Sequence, residues 1–428
     1  MQTRPLLSLA LLASCGRFAA AQQARRLTLA EAEDLAVRSH PRIGSASFLA
    51  EAARSVITEA RSSLYPTLTS NFTSVGAEHG STLAVGAVQT SSLYSRAAVG
   101  IGVTQLVTDF GRTSSLVGSA RLRAAASDKN VANTRAEVRF RVDRAYYQAL
   151  AANSVLKVAQ AVLENRRLTL RQVQALAQSS LKSTLDVSFA EVAVSDAELA
   201  LVRAENDVQA GSAYLSGAIG SERRETFDLV DEPMPPALPS DAEPLVGDAL
   251  RQRPDLAALQ LTRDAAQRLA DAERALSHPT VSLMGVAGAL PATDPRLKGT
   301  YSAAGVNVSV PIFNGHLFSA RRTEAELRAD AASKDVADLT VQISEQVRIA
   351  WLEANTAFRR LDATARLVAE VEQALRLART RYDIGLGSIV ELNQAQLSEV
   401  SAQIAAANAK YDYLSRRAAL AFVTGAIQ

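Results

Sequence analysis

Residues able to carry chemistry are few in this sequence and stand far apart. None of the four histidines has a second one at the spacing of metal ligands; they are His40, His79, His278 and His316. The chain contains no Walker loop, no Gly-x-Ser-x-Gly elbow and no dinucleotide-binding fingerprint. We therefore predict that the protein is not an enzyme, that it has no metal or cofactor site, and that energy for its work comes from a partner.

Two acidic residues, Asp186 and Glu391, have a defined sequence setting. Each lies three residues after a serine, Ser183 or Ser388, which is the spacing of a capping box in the first turn of a helix. A carboxylate in that turn also interacts favourably with the helix dipole. Helix capping therefore explains both acids without any further function.

The elements that carry these acids adjoin exceptionally long predicted helices. No glycine or proline interrupts residues 316–384, and at about 1.5 Å per residue that stretch would reach roughly 100 Å. Its apolar residues recur at alternating steps of four and three, with one polar position, Thr364, in the series; they are Ile343, Val347, Ala350, Ala354, Ala357, Leu361, Val368, Val371, Leu375, Ala378 and Tyr382. A period of 3.5 residues is typical of a coiled-coil seam, so we expect this rod to pack against other helices.

The chain contains two copies of one unit. A shift of 205 residues carries the seam onto residues 138–177, where only Arg166, the counterpart of Val371, breaks the apolar pattern. Upstream, a shift of 213 residues carries Pro41 to Pro254. Such a repeat indicates one elongated body rather than separate ordinary domains.

The repeat predicts the following layout. Residues 1–21 are a signal peptide, 22–220 the first copy, 221–244 a proline-rich linker and 245–428 the second copy. The first copy contains strands at about 67–76 and 95–107, a rod at 112–178 and a helix at 183–220. The second contains strands at about 280–288 and 301–313, a rod at 315–384 and a helix at 388–425.

The N-terminus is typical of an exported protein. Arg4 supplies positive charge, residues 6–12 an apolar segment and residues 19–21 a small-residue cleavage site. Alternatively, residues 12–15 resemble a lipobox, which would make Cys15 a lipidated first residue. In both cases the chain leaves the cytoplasm.

Charge and cysteine content restrict the function further. Without Arg4 and Arg17 of the signal, 44 basic groups face 44 acidic ones, so we do not expect nucleic-acid binding. Cys15 is the only cysteine, so rigidity must come from packing rather than from disulfides. No stretch after the signal approaches the roughly 20 apolar residues of a membrane-spanning helix, so any membrane crossing must use strands.

The predicted strands alternate between an apolar face and a polar or small one, over about ten residues, as outer-membrane strands do. A half-exposed soluble hairpin would show the same alternation. Aromatic residues lie near the strand ends, where outer-membrane proteins carry girdles; they are Tyr65, Tyr94, Phe110, Tyr301, Phe313 and Phe318. Four strands cannot close a barrel, and open edges in lipid leave backbone groups unpaired. We therefore expect several copies to share one barrel.

These features together resemble the TolC family of outer-membrane channel proteins. The resemblance covers residues 27–425 and rests on the repeat, the strand-to-helix turns at 312–315 and 107–110, and the tip motif at 382–388. It implies a mostly α homotrimer with a twelve-stranded transmembrane β-barrel in the outer membrane and a twelve-helix periplasmic tunnel. It also implies a periplasmic adaptor, with an inner-membrane transporter or ABC ATPase, and a passive exit duct opened by adaptor docking.

The resemblance assigns roles at the far tips of the rods. Asp186 and Glu391 match acidic positions that line the family's constricted entrance, and Tyr382 matches a tyrosine that helps to hold it closed. Adaptor contacts would fall on Gly385, Leu386, Gly387 and Ser388 and, in the first copy, on Ser180 and Leu181. The family's arginine just after the tip is replaced here by Gly387, and a second entrance acid by Gln394.

One alternative function is a periplasmic coiled-coil adaptor or scaffold that touches membranes without forming a pore. Such a protein would offer one helical hairpin flanked by small β domains rather than two copies of a hairpin with a rod. The sequence also leaves efflux and type I secretion open, because by resemblance the inner-membrane partner chooses the cargo.

Overall fold

The structure, a computed structural model, describes residues 25–76, 82–85, 88–92, 96–222, 227–293 and 298–427. The predicted signal peptide, Cys15 and Tyr94 lie outside these residues. In chain order, the elements are β1 (Arg25–Leu27), α1 (Leu29–Ser39), α2 (Pro41–Ser62), β2 (Thr67–Val75), β3 (Thr82–Val85), β4 (Val88–Ser92), β5 (Arg96–Thr108), α3 (Arg112–Gln178), α4 (Thr184–Ile219), β6 (Phe227–Leu229), α5 (Glu243–Gln252), α6 (Pro254–Arg274), β7 (Thr280–Thr293), β8 (Thr300–Ser309), α7 (Leu317–Asp383) and α8 (Ile389–Val423).

The two predicted rods correspond to α3 and α7, each of 67 residues. Their predicted seams are buried: Val138 and Val142 in α3, and Ile343 and Val347 in α7, are fully inaccessible. Each rod packs against the helix that follows it, and α3 also contacts α8 of the second copy. Because small side chains line these contacts, the helices approach closely.

Prolines divide the shorter helices at equivalent places in the two copies. Pro41 begins α2 directly after α1, and Pro254 begins α6 directly after α5. Proline fits the first turn of a helix because its missing N–H would have no partner there. Thr28 and Glu31 form a capping box at the start of α1.

Four strands form one antiparallel sheet in the order β2-β5-β7-β8. The contact between β5 and β7 joins the hairpin of the first copy to that of the second. Strand β7 continues to Thr293, beyond the predicted end at Gly288, because a bulge opposite Ala98 accommodates Pro291. Strand β8 ends at Ser309 rather than at residue 313. Pro311 follows, and it has no N–H for a ladder hydrogen bond.

The linker between the copies is more ordered than its prolines suggested. Strand β6 lies within predicted linker 221–244 and pairs in parallel with β1. Tyr146 of α3 donates its hydroxyl to the carbonyls of Leu27 (2.9 Å) and Val230 (2.7 Å) beside these strands. At the equivalent place in α7, the indole of Trp351 donates to the Pro239 carbonyl at 3.0 Å. Each rod therefore uses one aromatic side chain to bind backbone carbonyls of the segments that precede or connect the two copies.

Candidate functional site

The register of the sheet gives it two chemically different faces. Directly paired residues point to the same side, so the pairing assigns each residue to a face. We name as the apolar face the side that carries Leu68, Phe72, Val99, Ile101, Val103, Leu283, Val306 and Val308. The opposite side, the small face, carries Thr67, Thr69, Asn71, Gly100, Gly102, Ser282 and Asn307, with Met284 and Val286 as larger apolar members.

No other part of the described chain covers the apolar face. The exposed fraction is 68% for Leu68, 72% for Phe72 and 64% for Val306. Strands β2 and β8 are the outer strands, and each pairs on one side only within the described residues. A large exposed apolar patch marks a surface that meets another protein or a membrane.

Aromatic side chains mark the two ends of the sheet. Tyr65, Phe110 and Phe313 are exposed at the end nearest the helices. At the other end the ring of Tyr301 crosses the small face and lies over two glycines. A Cβ atom built on Gly288 would lie 2.5 Å from this ring, and one on Gly100 only 2.1 Å from its hydroxyl oxygen. Gly288 has no room for a side chain because the backbone oxygen of Val99 also lies against that position, whereas a side chain at Gly100 would first displace the ring of Tyr301.

At the end of the rods opposite the sheet, residues 179–183 form the first tip and residues 384–388 the second, and both tips have the same backbone turn. Ser180 and Gly385 are equivalent in the repeat and both adopt positive φ, 57° and 78°. In each tip the amide of the next residue donates to a carbonyl in the last turn of the rod. The Leu181 amide donates to the Leu176 carbonyl at 2.9 Å, and the Leu386 amide donates to the Arg381 carbonyl at 2.8 Å. This is the Schellman geometry of a helix C-terminus. A serine therefore adopts the conformation for which the second copy uses glycine.

The two predicted entrance acids have different partners. Asp186 completes its capping box: its carboxylate accepts from the Ser183 amide at 3.0 Å and hydroxyl at 2.9 Å. Ser388 caps α8 through its hydroxyl, but the Glu391 carboxylate binds Arg381 at 3.1 Å instead. One acid thus caps its own helix, while the other ties α8 back to α7.

The side chain of Lys182, in the first tip, binds Tyr382 at the second. Lys182 Nζ donates to the backbone carbonyl of Tyr382 at 3.1 Å and lies 3.7 Å from the centroid of its ring. The ring is buried in a small core shared by all four long helices. Its hydroxyl is buried without a hydrogen-bond partner among the described residues, and burial, followed by the charges of Asp186 and Asp383, raises the pKa of Tyr382 to about 12. The cross-tip contact therefore uses the ring and the backbone of Tyr382 rather than its hydroxyl.

A family model described as outer membrane efflux protein matches residues 33–221 and 245–426. The chain belongs to this family, the TolC family of outer-membrane efflux channels. Relatives and solved structures agree with this assignment. BepC, the outer membrane efflux protein of Brucella suis biovar 1, is 24% identical over 333 residues, covering 76% of this chain and 72% of BepC.

TolC of Vibrio cholerae is 25% identical over 420 residues, covering 96% of this chain and 93% of that protein. The structure of the outer-membrane channel OprN superposes with a TM-score of 0.81 at 20% identity, over 93% of this chain and 89% of OprN, so the two share a fold. As a member of the TolC family, the protein is an efflux channel of the outer membrane. None of its described helices is long and apolar enough to cross a membrane.

In this TolC-family chain the predicted site residues lie at the two tips. Leu181 and Leu386 are exposed at the two apices, and Tyr382 lies buried between them. A Cβ atom on Gly387 would lie 3.1 Å from the Tyr382 amide nitrogen, so this glycine allows close packing on the end of α7. Lys182 is the repeat counterpart of Gly387, so at this position of the turn the cation is in the first copy.

A carboxyl pair between α1 and α3, in which Asp143 is buried and Glu33 is half-buried, was not predicted from the sequence. Asp143 of α3 faces Glu33 of α1. Burial, together with the charge and hydrogen bond of Glu33, raises the pKa of Asp143 to about 8, while the charge of Arg139 opposes the shift. Asp143 follows the seam residue Val142 and would point away from the seam, but α1 covers it. No group of three His, Cys, Asp or Glu among the described residues could hold a metal ion.

Proposed function

We propose that three copies of this chain form one gated exit duct, in which three four-stranded sheets close a twelve-stranded barrel and the long helices form a periplasmic tunnel. The observation that carries this proposal is the open sheet. Its apolar face is exposed and both of its outer strands have an unpaired edge among the described residues. Joining β8 of one copy to β2 of the next would pair these edges, turn the apolar face to lipid and turn the small face inward.

The helices support the same assembly. Helix α4 exposes an apolar stripe at coiled-coil spacing, formed by Leu185, Phe189, Val192, Leu199 and Val202. The equivalent positions of α8 include the exposed Val390 and Leu397. A seam of this kind needs helical neighbours that one copy does not provide. In the trimer, α4 and α8 of adjacent copies supply them.

The gate of this duct lies at the helical tips. Asp186 and Glu391, repeated three times around the axis, line the entrance, and the core around Tyr382 keeps it closed. The exposed apical residues Leu181 and Leu386, with their neighbours Ser180, Gly385 and Ser388, receive the periplasmic adaptor. Docking of the adaptor opens the tips, so that the protein itself is a passive conduit.

The duct serves a tripartite efflux pump, with a periplasmic adaptor and an inner-membrane transporter as partners. Efflux is favoured over type I secretion because several curated relatives carry efflux names, among them BepC and the probable efflux pump outer membrane protein TtgC of Pseudomonas putida. Family membership also favours a channel over the alternative of a periplasmic adaptor or scaffold. Purification from the native envelope, followed by identification of the inner-membrane partner, would distinguish a transporter from a secretion ATPase.

Cysteine cross-linking tests the shared barrel. Ser70 of β2 and Ala304 of β8 lie on the apolar face of the two outer strands. A Ser70→Cys, Ala304→Cys chain treated with a flexible bifunctional maleimide in native membranes should give covalent dimers and trimers. As a matched control, Ile101→Cys with Ala287→Cys pairs two inner strands of one chain and should give monomers only. Monomers from both variants would contradict the proposal.

Ion selectivity tests the entrance acids. Six carboxylates around one axis attract cations, so Asp186→Ala combined with Glu391→Ala should lower the cation preference of the channel in planar bilayers. Glu198→Ala is a matched control because this exposed acid pairs with Arg167 far from the tip. Unchanged selectivity in the double variant would remove both acids from the pore.

A further inference from the structure

A cleft of about 280 Å³ lies between α3, α4 and strand β6 of the linker. Two of its lining residues, Ala149 and Leu215, are buried, and the others are at least partly accessible to solvent. The accessible lining consists of Asn153, Val208, Gln209, Ser212, Phe227 and Leu229. None of these side chains carries a charge. The cleft is therefore suited to a neutral ligand, because a charged one would lose its hydration without gaining a counter-charge.

Larger side chains occupy the equivalent positions in the second copy. The shift of 205 residues carries Asn153 to Phe358 and Val208 to Tyr413. The rings of Phe358 and Tyr413 contact each other, with centroids 5.3 Å apart and planes inclined at 51°. Tyr413 is fully inaccessible. Helices α7 and α8 thus pack two aromatic rings where α3 and α4 have an amide and a valine.

The cleft results from these small side chains rather than from a separation of the two helices. Gly211 brings α4 against α3, since a Cβ atom there would lie 3.1 Å from the Ala149 Cα atom. Next to it, Ser212 corresponds to Arg417 of the second copy. The Arg417 guanidinium donates to the Tyr413 hydroxyl at 3.3 Å, which completes the filling there. The first copy therefore keeps the helix contact but lacks the side chains that fill the equivalent space.

We propose that this cleft binds a small neutral aromatic molecule of one or two fused rings with a hydroxyl or similar polar substituent. The ligand ring takes the place that Phe358 and Tyr413 fill in the second copy. Unfilled apolar space loses dispersion contacts, and apolar cavities of this kind bind molecules such as benzene. Phe227 offers a ring for aromatic contact, and the Asn153 amide offers a donor and an acceptor for the substituent.

The size and position of the cleft define the ligand and its effect further. A volume of about 280 Å³ is slightly below that of pockets for drug-sized ligands, so one or two rings fit. The lining comes from the α3–α4 pair and from β6, so a bound ring joins the linker to the helices. The site lies within one protomer and does not depend on the number of copies in the assembly.

Hydrogen exchange of the full-length protein in lipid nanodiscs tests this site with 2-naphthol as the probe. Saturable binding should slow exchange in residues 227–230 about threefold or more, because the ligand binds only the packed form of β6. Asn153→Phe combined with Val208→Tyr installs the aromatic pair of the second copy and should abolish this response. Glu205→Gln changes an exposed side chain of α4 and should retain it. Exchange in residues 236–239 of the same linker reports any general effect of naphthol on the membrane.

Decahydro-2-naphthol, which keeps the hydroxyl but lacks the aromatic face, tests the ligand class. An equal response to both compounds would overturn the aromatic assignment. The absence of a saturable response in the unmodified protein, or an equal response in the double variant, would overturn the site itself.

Should the double variant fail to fold, crystals of the unmodified protein soaked with 6-bromo-2-naphthol provide a second test. An anomalous bromine peak between Val208 and Phe227 supports the site. An empty cleft, or one filled by a side chain of a neighbouring copy, contradicts it.

Discussion

The two helical tips have the same backbone turn, but their charged side chains bind different partners. In the first copy Lys182 leaves its own turn and binds the carbonyl and ring of Tyr382 in the other tip. In the second copy Gly387 occupies the equivalent position, and the charges stay local: Arg381 binds Glu391 and donates to the Leu386 carbonyl at 3.3 Å. The lysine of the first tip therefore binds the second tip, whereas the charged side chains of the second tip bind only within that tip.

This difference shows what a repeat preserves and what it leaves free. The left-handed turn is kept because each rod must end and reverse within a few residues. The side chain after the turn does not affect that geometry, so it can specialise. In the proposed duct, removing a cross-tip contact should loosen the gate, while removing a local ion pair should leave it closed.

The largest effect is expected from Lys182→Ala. It removes a charge-assisted hydrogen bond and a cation–π contact at a partly buried site, which together contribute about 1–2 kcal/mol. We expect faster hydrogen exchange in residues 176–190 and a higher open probability in planar bilayers. Lys157→Ala, at an exposed site on α3, is the control. Equal behaviour of the two variants would show that Lys182 does not hold the tips together.

A smaller effect is expected from the capping acids, and it should differ between the tips. Asp186→Ala removes the carboxylate that accepts from the Ser183 amide and hydroxyl, while the Ser183 hydroxyl still caps α4, and it should destabilise the start of α4 by about 1 kcal/mol. Glu391→Ala leaves the Ser388 cap in place and breaks a half-exposed ion pair, which contributes less. Hydrogen exchange in the first turns of α4 and α8 measures both changes. A larger loss in Glu391→Ala would reverse the assigned roles.

Substituting the turn residue of each tip by that of the other should change local stability in opposite directions. Ser180→Gly relieves a non-glycine residue at φ 57° and should stabilise the first tip by up to about 1 kcal/mol. Gly385→Ser should destabilise the second tip by a similar amount, because φ is 78° there. Local exchange rates of the two variants, compared with the unmodified protein, provide the measurement. Effects of the same sign would mean that the two turns are not equivalent.

The smallest effect is expected from Tyr382→Phe. The hydroxyl has no hydrogen-bond partner among the described residues, whereas the ring retains its contact with Lys182. Its removal should change stability by less than about 0.5 kcal/mol and leave the open probability unchanged. Bilayer recordings beside those of Lys182→Ala provide the comparison. A clear opening in Tyr382→Phe would show that the hydroxyl, and not the lysine, closes the tip.

Local patterns in the sequence were sufficient for the main elements. The four-and-three seam indicated α3 and α7, and capping spacing indicated the starts of α4 and α8. Pro311 was a local signal for the end of β8 that the strand alternation obscured. The pairing of β1 with β6 had no such signal, because it depends on segments about 200 residues apart.

The candidate site was predictable in position but not in its contacts. The repeat indicated that both tips are turns with an acid three residues after a serine. It could not indicate that Lys182 crosses to Tyr382, because a contact over 200 residues depends on how the two helix pairs meet. The charge of Arg166 stood out in the seam, but the side chains around it belong to helices of both copies.

The most direct test of the shared duct is the mass of the assembled protein. Native mass spectrometry of the full-length protein released from lipid nanodiscs should give three times the mass of one mature chain. The proposed twelve-stranded barrel takes three four-stranded sheets, which pair edge to edge and turn their apolar faces to lipid. A single-chain mass from a lipid environment that retains the folded sheet would contradict the account.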